Sequence, residues 1–360
     1  MENIFDIIEP IDKTKFEDKS KEMKYKFINK IDFTERRLPN TEIAVLSVGN
    51  ILSVRKVLYE MYFSNNVSIA DLGNIPISKT DNLTEILKHL SDNNIFTIII
   101  GNSADASAHC FDALIGTDKN VENKLSASII SPSVTKSGFL DWLISNRLEY
   151  LFNLNIMAYQ TYLSDPEMLE YLSSNYFETL RLGKFRENNQ IYEPLLRDTD
   201  MLSIDITAVK KSEIPDCRHA GINGLYAEEI CLIAKYAGMS DNLKIISIFG
   251  LEKIKENGQT SELIAQIIWH IAEGFANRAH ENMLNNVNGI KKIFVNLESP
   301  SEQLIFYHSD ITNRWWMEVQ GKTDRKALII ACSEEDYKIA CRHDIPLKWI
   351  WYQQKTLNKN

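Results

Sequence analysis

Residues 197–238 constrain the fold most, because they read as a strand, a loop and a helix in direct succession. Residues 201–209 alternate apolar and polar side chains as a buried strand does, and residues 227–236 carry apolar side chains at helical spacing. The loop between them contains Pro and Gly residues that interrupt both patterns. Asp205 lies near the carboxyl end of the strand, where open α/β sheets hold their ligands. We therefore expect an α/β unit with a candidate site at Asp205.

The chain on both sides of this unit alternates short apolar runs with amphipathic helical segments. Residues 95–100 form an apolar run typical of a strand buried on both faces of a parallel sheet. Right-handed crossovers between such strands predict an α/β fold, a three-layer α/β/α sandwich with a mainly parallel central sheet. The other strands expected in this sheet are residues 42–48, 67–72, 126–130, 155–159 and 244–249. The expected helices are residues 53–62, 83–90, 139–148, 166–172 and 260–278.

Both ends of the chain differ from this core in pattern. Residues 1–40 are rich in Lys, Asp and Glu and contain no Gly, which predicts a lead-in packed on the outside of the core. Residues 41–285 form the expected α/β core. Residues 286–360 are expected to extend the same domain, with short strands at 303–308, 315–319 and 327–332 and a helix at 334–341. No linker rich in Pro, Gly or Ser separates these parts, so one domain with peripheral additions is predicted.

Composition excludes several classes of partner. A formal net charge of -9 at pH 7 argues against a nucleic-acid-binding surface, which needs clustered basic residues. No apolar run is long enough to span a membrane, and the first residues do not read as a signal peptide. The cysteines show no CxxC pair, so neither a disulfide framework nor a structural zinc site is expected. Together these features predict a cytoplasmic protein.

Two motifs resemble a known superfamily. Residues 203–207 read Ser-Ile-Asp-Ile-Thr and resemble the S-x-D-x-D strand end with which arginases, agmatinases and formimidoylglutamases hold two manganese ions. Residues 224–229, Gly-Leu-Tyr-Ala-Glu-Glu, resemble the glycine loop and helix start of the same superfamily. The chain is most similar to the formimidoylglutamase-like branch of Bacteroidetes-type bacteria, from about residue 43 onward. The resemblance implies an arginase-like three-layer fold.

The resemblance also indicates which positions would hold manganese. A two-manganese hydrolase needs carboxylates and imidazoles from three strand ends, so that both ions share an activated water. In this chain the first strand-end motif, G-G-D-H-S, aligns with residues 101–105, the second, D-A-H-x-D, with residues 131–135, and the third with residues 203–207. Ala104 stands in place of the ligating His of the first motif, and Thr207 in place of the second carboxylate of the third. The aligned positions are Asn102, Ser103, Ala104 and Asp105, then Ser131, Ser133 and Thr135, then Asp205 and Thr207. Only Asp205 keeps a ligand side chain at a usual ligand position, which predicts a degenerate metal site.

Other polar residues leave alternatives open. Asp105 and His109 stand four residues apart, a spacing that places both on one helix face, although surface and helix-start roles explain them as well. His219 follows Asp205 along the chain and could reach the same crevice or be solvated. Glu252 aligns with the glutamate by which the superfamily recognises a guanidinium or formimino group, and it could equally be a solvated acid at a strand end.

Two functional hypotheses follow from this pattern. The first is a non-catalytic protein of arginase-like fold that binds an unknown protein partner or a small ligand, requires no cofactor and forms a homo-oligomer. The second is a divergent hydrolase of C–N bonds in guanidino or formimino compounds, with manganese held by a rebuilt or partner-supplied site. The count of retained ligands favours the first hypothesis.

Overall fold

The computed structural model describes residues 7–12, 14, 16, 25–32, 38, 40–116, 124–251, 255, 258–281, 289–297, 303–321 and 327–357. Its centre is a nine-stranded sheet in which every pairing is parallel. The predicted α/β fold with a mainly parallel central sheet is therefore confirmed. The strands are β1 (Ile31–Asp32), β2 (Ile43–Val48), β3 (Ile69–Ile75), β4 (Phe96–Ile100), β5 (Leu125–Ile130), β6 (Leu151–Tyr159), β7 (Glu178–Arg181), β8 (Met201–Asp205) and β9 (Ile245–Phe249). Their spatial order is β1-β3-β2-β4-β9-β8-β5-β6-β7.

Helices cover both faces of this sheet. Successive side chains of a strand point to opposite faces, and Ile98 and Ile99 of β4 accordingly pack in two different apolar clusters. This arrangement is the expected three-layer sandwich. Helices of the first cluster are α1 (Leu52–Glu60), α6 (Leu182–Glu187), α7 (Tyr192–Arg197), α8 (Ala227–Gly238) and α9 (Gln259–Ala276). Helices of the second are α2 (Leu83–Asp92), α3 (Asp105–Leu114), α4 (Gly138–Arg147) and α5 (Pro166–Ser174).

Local chemistry explains where these helices begin and how closely they pack. The carboxylate of Asp165 accepts a hydrogen bond from the Glu167 amide, and Pro166 occupies the first turn of α5, where its missing N–H costs nothing. Helices α8 and α9 pack closely because a glycine lies at their contact. A Cβ atom on Gly238 would lie 2.2 Å from the Ile271 carbonyl oxygen, so only glycine permits this approach.

The C-terminal part adds a second, antiparallel sheet of four strands. Its strands, in spatial order, are β10 (Ile290–Asn296), β11 (Gln303–Ser309), β12 (Trp315–Val319) and β13 (Leu328–Cys332), and it is followed by α10 (Glu334–Cys341) and α11 (Leu347–Leu357). An apolar cluster of its own contains Phe306, Met317 and Tyr352. The sheet is attached to the core by Arg197, which donates to the Trp315 carbonyl over 2.9 Å, and by Asp198, which accepts from the Ala331 amide. The predicted domain boundaries at residues 40 and 285 stay predictions.

Several predicted elements differ from those in the structure. The strand expected at residues 201–209 ends at Asp205, because residues 206–208 form a 3-10 turn capped by the Asp205 carboxylate. Strand β6 begins at Leu151 rather than at residue 155, with Asn153 and Asn155 hydrogen-bonded to each other in the interior. The short elements β1, β7, α6 and α7, and the longer β10 and α11, were not predicted. No helix in the described parts of the chain is both long and apolar enough to cross a membrane.

Candidate functional site

The three sequence motifs meet at one edge of the central sheet. Strands β4, β9, β8 and β5 are neighbours and parallel, so their carboxyl ends lie on the same side. This confirms the expected arrangement of the strand ends. A cavity of about 120 Å³ opens there. Its polar lining comes from Ser131, Ser133, Thr135, Ser137 and Asp205, and its remaining lining from Ala104, Ile129, Gly138, Phe139, Leu140, Ile156 and Phe249.

Asp205 is the acidic group of this cavity. Its Oδ1 atom accepts hydrogen bonds from the Thr207 amide over 2.9 Å and from the Thr207 hydroxyl over 2.6 Å. Burial raises the pKa of the Asp205 carboxyl, and the hydrogen bonds from Thr207 and the charge of His219 act in the opposite direction. Gly250 allows this packing, since it has a φ of 89° and a Cβ atom there would lie 3.2 Å from Oδ1.

The hydroxyl groups at the second motif bond within the protein. Ser131 donates its hydroxyl proton to the Ser133 carbonyl over 2.8 Å. The hydroxyl oxygens of Thr135 and Ser137 lie 2.9 Å apart, so one of them donates to the other. These contacts fix the loop between β5 and α4. Short neutral side chains thus form this part of the cavity lining.

The first motif contributes only Ala104 to the cavity. Asn102 and Ser103 are exposed, and the Ser103 hydroxyl donates to Asp105 over 2.7 Å at the start of α3. His109 lies one turn further on, where its Nδ1 atom is 2.8 Å from the Thr84 hydroxyl. Asp105 therefore has a contact at the start of α3, and His109 has one with α2.

The remaining candidate residues either do not line the cavity or lie outside the residues that the structure describes. His219 is exposed in the loop after β8 and does not line the cavity, although its charge acts on Asp205. Glu252 lies outside the described residues. Glu229 accepts a hydrogen bond from the Tyr226 amide over 2.8 Å and pairs with Arg186, so it serves the start of α8.

Sequence reasoning did not identify the apolar wall of the cavity. Phe139 and Phe249 look in sequence like ordinary core residues of a helix and a strand, and no local pattern indicates that they border a cavity. A buried set of three serines was also missed: the Ser107 hydroxyl oxygen lies 2.8 Å from that of Ser203 and 2.7 Å from that of Ser247. The signal available for it was a serine inside each of two apolar strand patterns, β8 and β9.

The donor set of the cavity does not fit a manganese pair. Two divalent ions need several carboxylate or imidazole ligands, whereas among the described residues Asp205 alone contributes such a side chain to the lining. Across the described ranges, no group of three or more His, Cys, Asp or Glu side chains could hold a metal ion. No reaction step at this site is therefore assigned to a metal ion.

The fold and the position of the cavity define a class of protein. A parallel sheet between two helical layers, with a cavity at the carboxyl ends of its central strands, is the architecture expected from the arginase resemblance. Solved structures of formiminoglutamases, an arginase-superfamily protein and an agmatine ureohydrolase share this fold, so the resemblance is confirmed at the level of the fold. No family model matches the sequence, and a comparison with curated proteins finds no match.

Three of these structures illustrate the similarity. Formiminoglutamase from Trypanosoma cruzi with Mn²⁺ has a TM-score of 0.61 at 16% identity, over 68% of this chain and 97% of its own. Formimidoylglutamase from Bacillus subtilis has a TM-score of 0.58 at 14% identity, over 71% and 92%. Agmatine ureohydrolase from Thermoplasma volcanium has a TM-score of 0.55 at 13% identity, over 71% and 95%. At these identities the similarity shows the fold alone.

Proposed function

We propose that this protein acts by binding and not by metal-dependent hydrolysis, with the cavity at the strand ends as its ligand site. The observation that supports this most is the cavity lining, to which the described residues contribute one acid, Asp205, among hydroxyl and apolar groups. A dinuclear manganese centre generates its nucleophile by lowering the pKa of a water held between two ions. One carboxylate, already engaged by Thr207, cannot hold two ions.

Assembly and location are further parts of this proposal. The protein is cytoplasmic, in keeping with five cysteines that are all free thiols. It forms a homo-oligomer and binds an unknown protein partner or a small ligand, but no nucleic acid, in keeping with its net charge of -9.

A hydrolysis assay tests the proposal. Purified protein is loaded with manganese and incubated with arginine, agmatine or formiminoglutamate, and release of urea, ammonia or formamide is measured. We expect no manganese-dependent turnover above that of a heat-denatured sample. The Asp205→Ala variant is the matched control, because it removes the single retained ligand position.

One outcome favours the second hypothesis. Manganese-dependent product release that is abolished by Asp205→Ala would show that the protein is a divergent hydrolase of C–N bonds in guanidino or formimino compounds. In that case Glu252 would be the first residue to examine for substrate recognition, followed by His219 beside Asp205.

A further inference from the structure

The cavity offers hydrogen-bond acceptors more than donors. The hydroxyl proton of Ser131 is committed to the Ser133 carbonyl, and one proton of the Thr135 and Ser137 pair is committed to the other oxygen of that pair. Among the described residues, two lining hydroxyl protons thus remain for a ligand, that of Ser133 and the second one of the pair. Each hydroxyl oxygen still has lone pairs with which it can accept. A ligand that donates hydrogen bonds therefore fits this lining better than one that accepts them.

The described residues that line the site contribute one charged group, the Asp205 carboxyl. The bonds from the Thr207 amide and hydroxyl both end on Oδ1 of Asp205. Oδ2 receives no hydrogen bond from the part of the chain that the structure describes, so it is left to accept one from a ligand. Burial disfavours the ionised carboxyl, and a cation placed beside it would remove part of that cost. The cavity therefore favours a positively charged ligand.

Geometry and size narrow the kind of cation. A planar guanidinium pairs best with both oxygens of a carboxylate, and Oδ1 already accepts two hydrogen bonds here. A primary ammonium has three donors that can reach one carboxylate oxygen and two hydroxyl oxygens. A cavity of about 120 Å³ is slightly smaller than one that admits benzene, so roughly four to six non-hydrogen atoms fit. Phe139 and Phe249 would contact the apolar part of such a molecule.

We infer that the strand-end cavity binds a small primary ammonium cation with a short alkyl stem, whose nitrogen donates to Oδ2 of Asp205 and to the hydroxyl oxygens of the loop between β5 and α4. This inference rests on the binding role proposed above and names the ligand class of the same cavity.

Calorimetric titration at about pH 8, where carboxyl groups are ionised, tests the inference. The probe is propylammonium chloride, and the comparators are propan-1-ol, sodium propionate, tetramethylammonium chloride and sodium chloride at equal ionic strength. We expect propylammonium to bind at least about tenfold more tightly than each comparator, since only it combines charge, donors and a fitting size. Equal binding of propan-1-ol, tetramethylammonium or sodium, or no binding of propylammonium, would overturn the inference.

Variants locate the binding. Asp205→Asn removes the charge at nearly constant shape and should weaken propylammonium binding about tenfold or more. Ala104→Leu leaves Asp205 intact and fills the cavity, so it should abolish binding. This second variant tests the assignment even if Asp205→Asn does not fold. Asp105→Asn changes a nearby exposed carboxylate outside the lining and should leave the affinity unchanged. Unchanged affinity in Asp205→Asn or in Ala104→Leu would contradict the assignment.

The two proposals fail in different experiments. If the protein neither binds propylammonium nor shows manganese-dependent turnover, the proposed ligand class is wrong, but the proposed non-catalytic role is not contradicted. Manganese-dependent hydrolysis removes the non-catalytic role itself, whatever the titration shows.

Discussion

At the residue scale, Asp205 should make the free energy of unfolding depend on pH. Its folded-state pKa is raised by burial above the unfolded value of about 3.9, so the folded protein binds more protons between the two pKa values. The contribution of this group to the free energy of unfolding therefore falls as pH rises through that window. We expect wild type to lose stability relative to Asp205→Asn as pH rises through the acidic range, measured by urea unfolding. Asp105→Asn, at an exposed carboxylate, is the control.

The opposite slope would contradict this assignment. If wild type gained stability relative to Asp205→Asn with rising pH, the hydrogen bonds from Thr207 and the charge of His219 would outweigh burial. Asp205 would then be a carboxylate held ionised by its neighbours.

The sequence indicated four of the polar residues that line the cavity, Ser131, Ser133, Thr135 and Asp205, because they lie at or just after strand ends, but it did not indicate Ser137. Ala104, Ser131 and Asp205 each follow or end a strand, and the carboxyl ends of parallel neighbours meet at one edge. The apolar wall could not be predicted, since whether Phe139 borders a cavity or fills the core depends on how α4 lies on the sheet. His109 illustrates the limit of spacing arguments: its contact is with Thr84, on a different helix.

At the element scale, a buried ion network joins the C-terminal sheet to the core. Arg314 at the start of β12 lies 3.1 Å from Glu193 of α7 and 3.8 Å from Glu281, and its side chain is 7% exposed. Without Arg314, Glu193 still pairs with Arg197, but the buried Glu281 keeps only its hydrogen bonds from the Ser309 and Thr312 hydroxyls among the described residues. Loss of one partner from a buried ionic network is strongly destabilising. We expect Arg314→Ala to lower the free energy of unfolding by about 3 kcal/mol, measured by urea denaturation.

A solvated ion pair of the same sheet provides the comparison. Lys292 of β10 pairs with Glu318 of β12 over 3.4 Å, but the lysine side chain is largely solvated. Lys292→Ala should change the free energy of unfolding by no more than about 0.5 kcal/mol. Equal effects of the two substitutions would show that burial of the Arg314 network contributes nothing specific to the attachment of the sheet.

Element prediction succeeded for regular patterns and failed for short or irregular ones. The predicted strand at residues 315–319 and helix at 334–341 have the bounds found in the structure, and Ser333 marks the start of that helix as its N-cap. Helices α6 and α7 have six residues each, too few to show a period. Strand β10 contains adjacent lysines, Lys291 and Lys292, which hide its alternation and are typical of a sheet edge.

At the scale of the whole molecule, we expect a homo-oligomer. Exposed apolar side chains occur at Phe294 and Ile311 on the C-terminal part and at Tyr62 on the core. Such side chains mark interfaces when they form a contiguous patch. Static light scattering in the micromolar range should give a multiple of the 41.4 kDa chain mass. A monomer mass throughout that range would count against assembly.

The metal content of the purified protein tests the central claim most directly. The protein is incubated with excess manganese, dialysed against metal-free buffer and analysed by atomic absorption, with calcium and zinc loadings as controls. Because Asp205 is the one carboxylate that the described residues contribute to the cavity, we expect manganese to be retained no better than calcium and well below one ion per chain. Retention of two manganese ions per chain, lost in Asp205→Ala, would contradict the account.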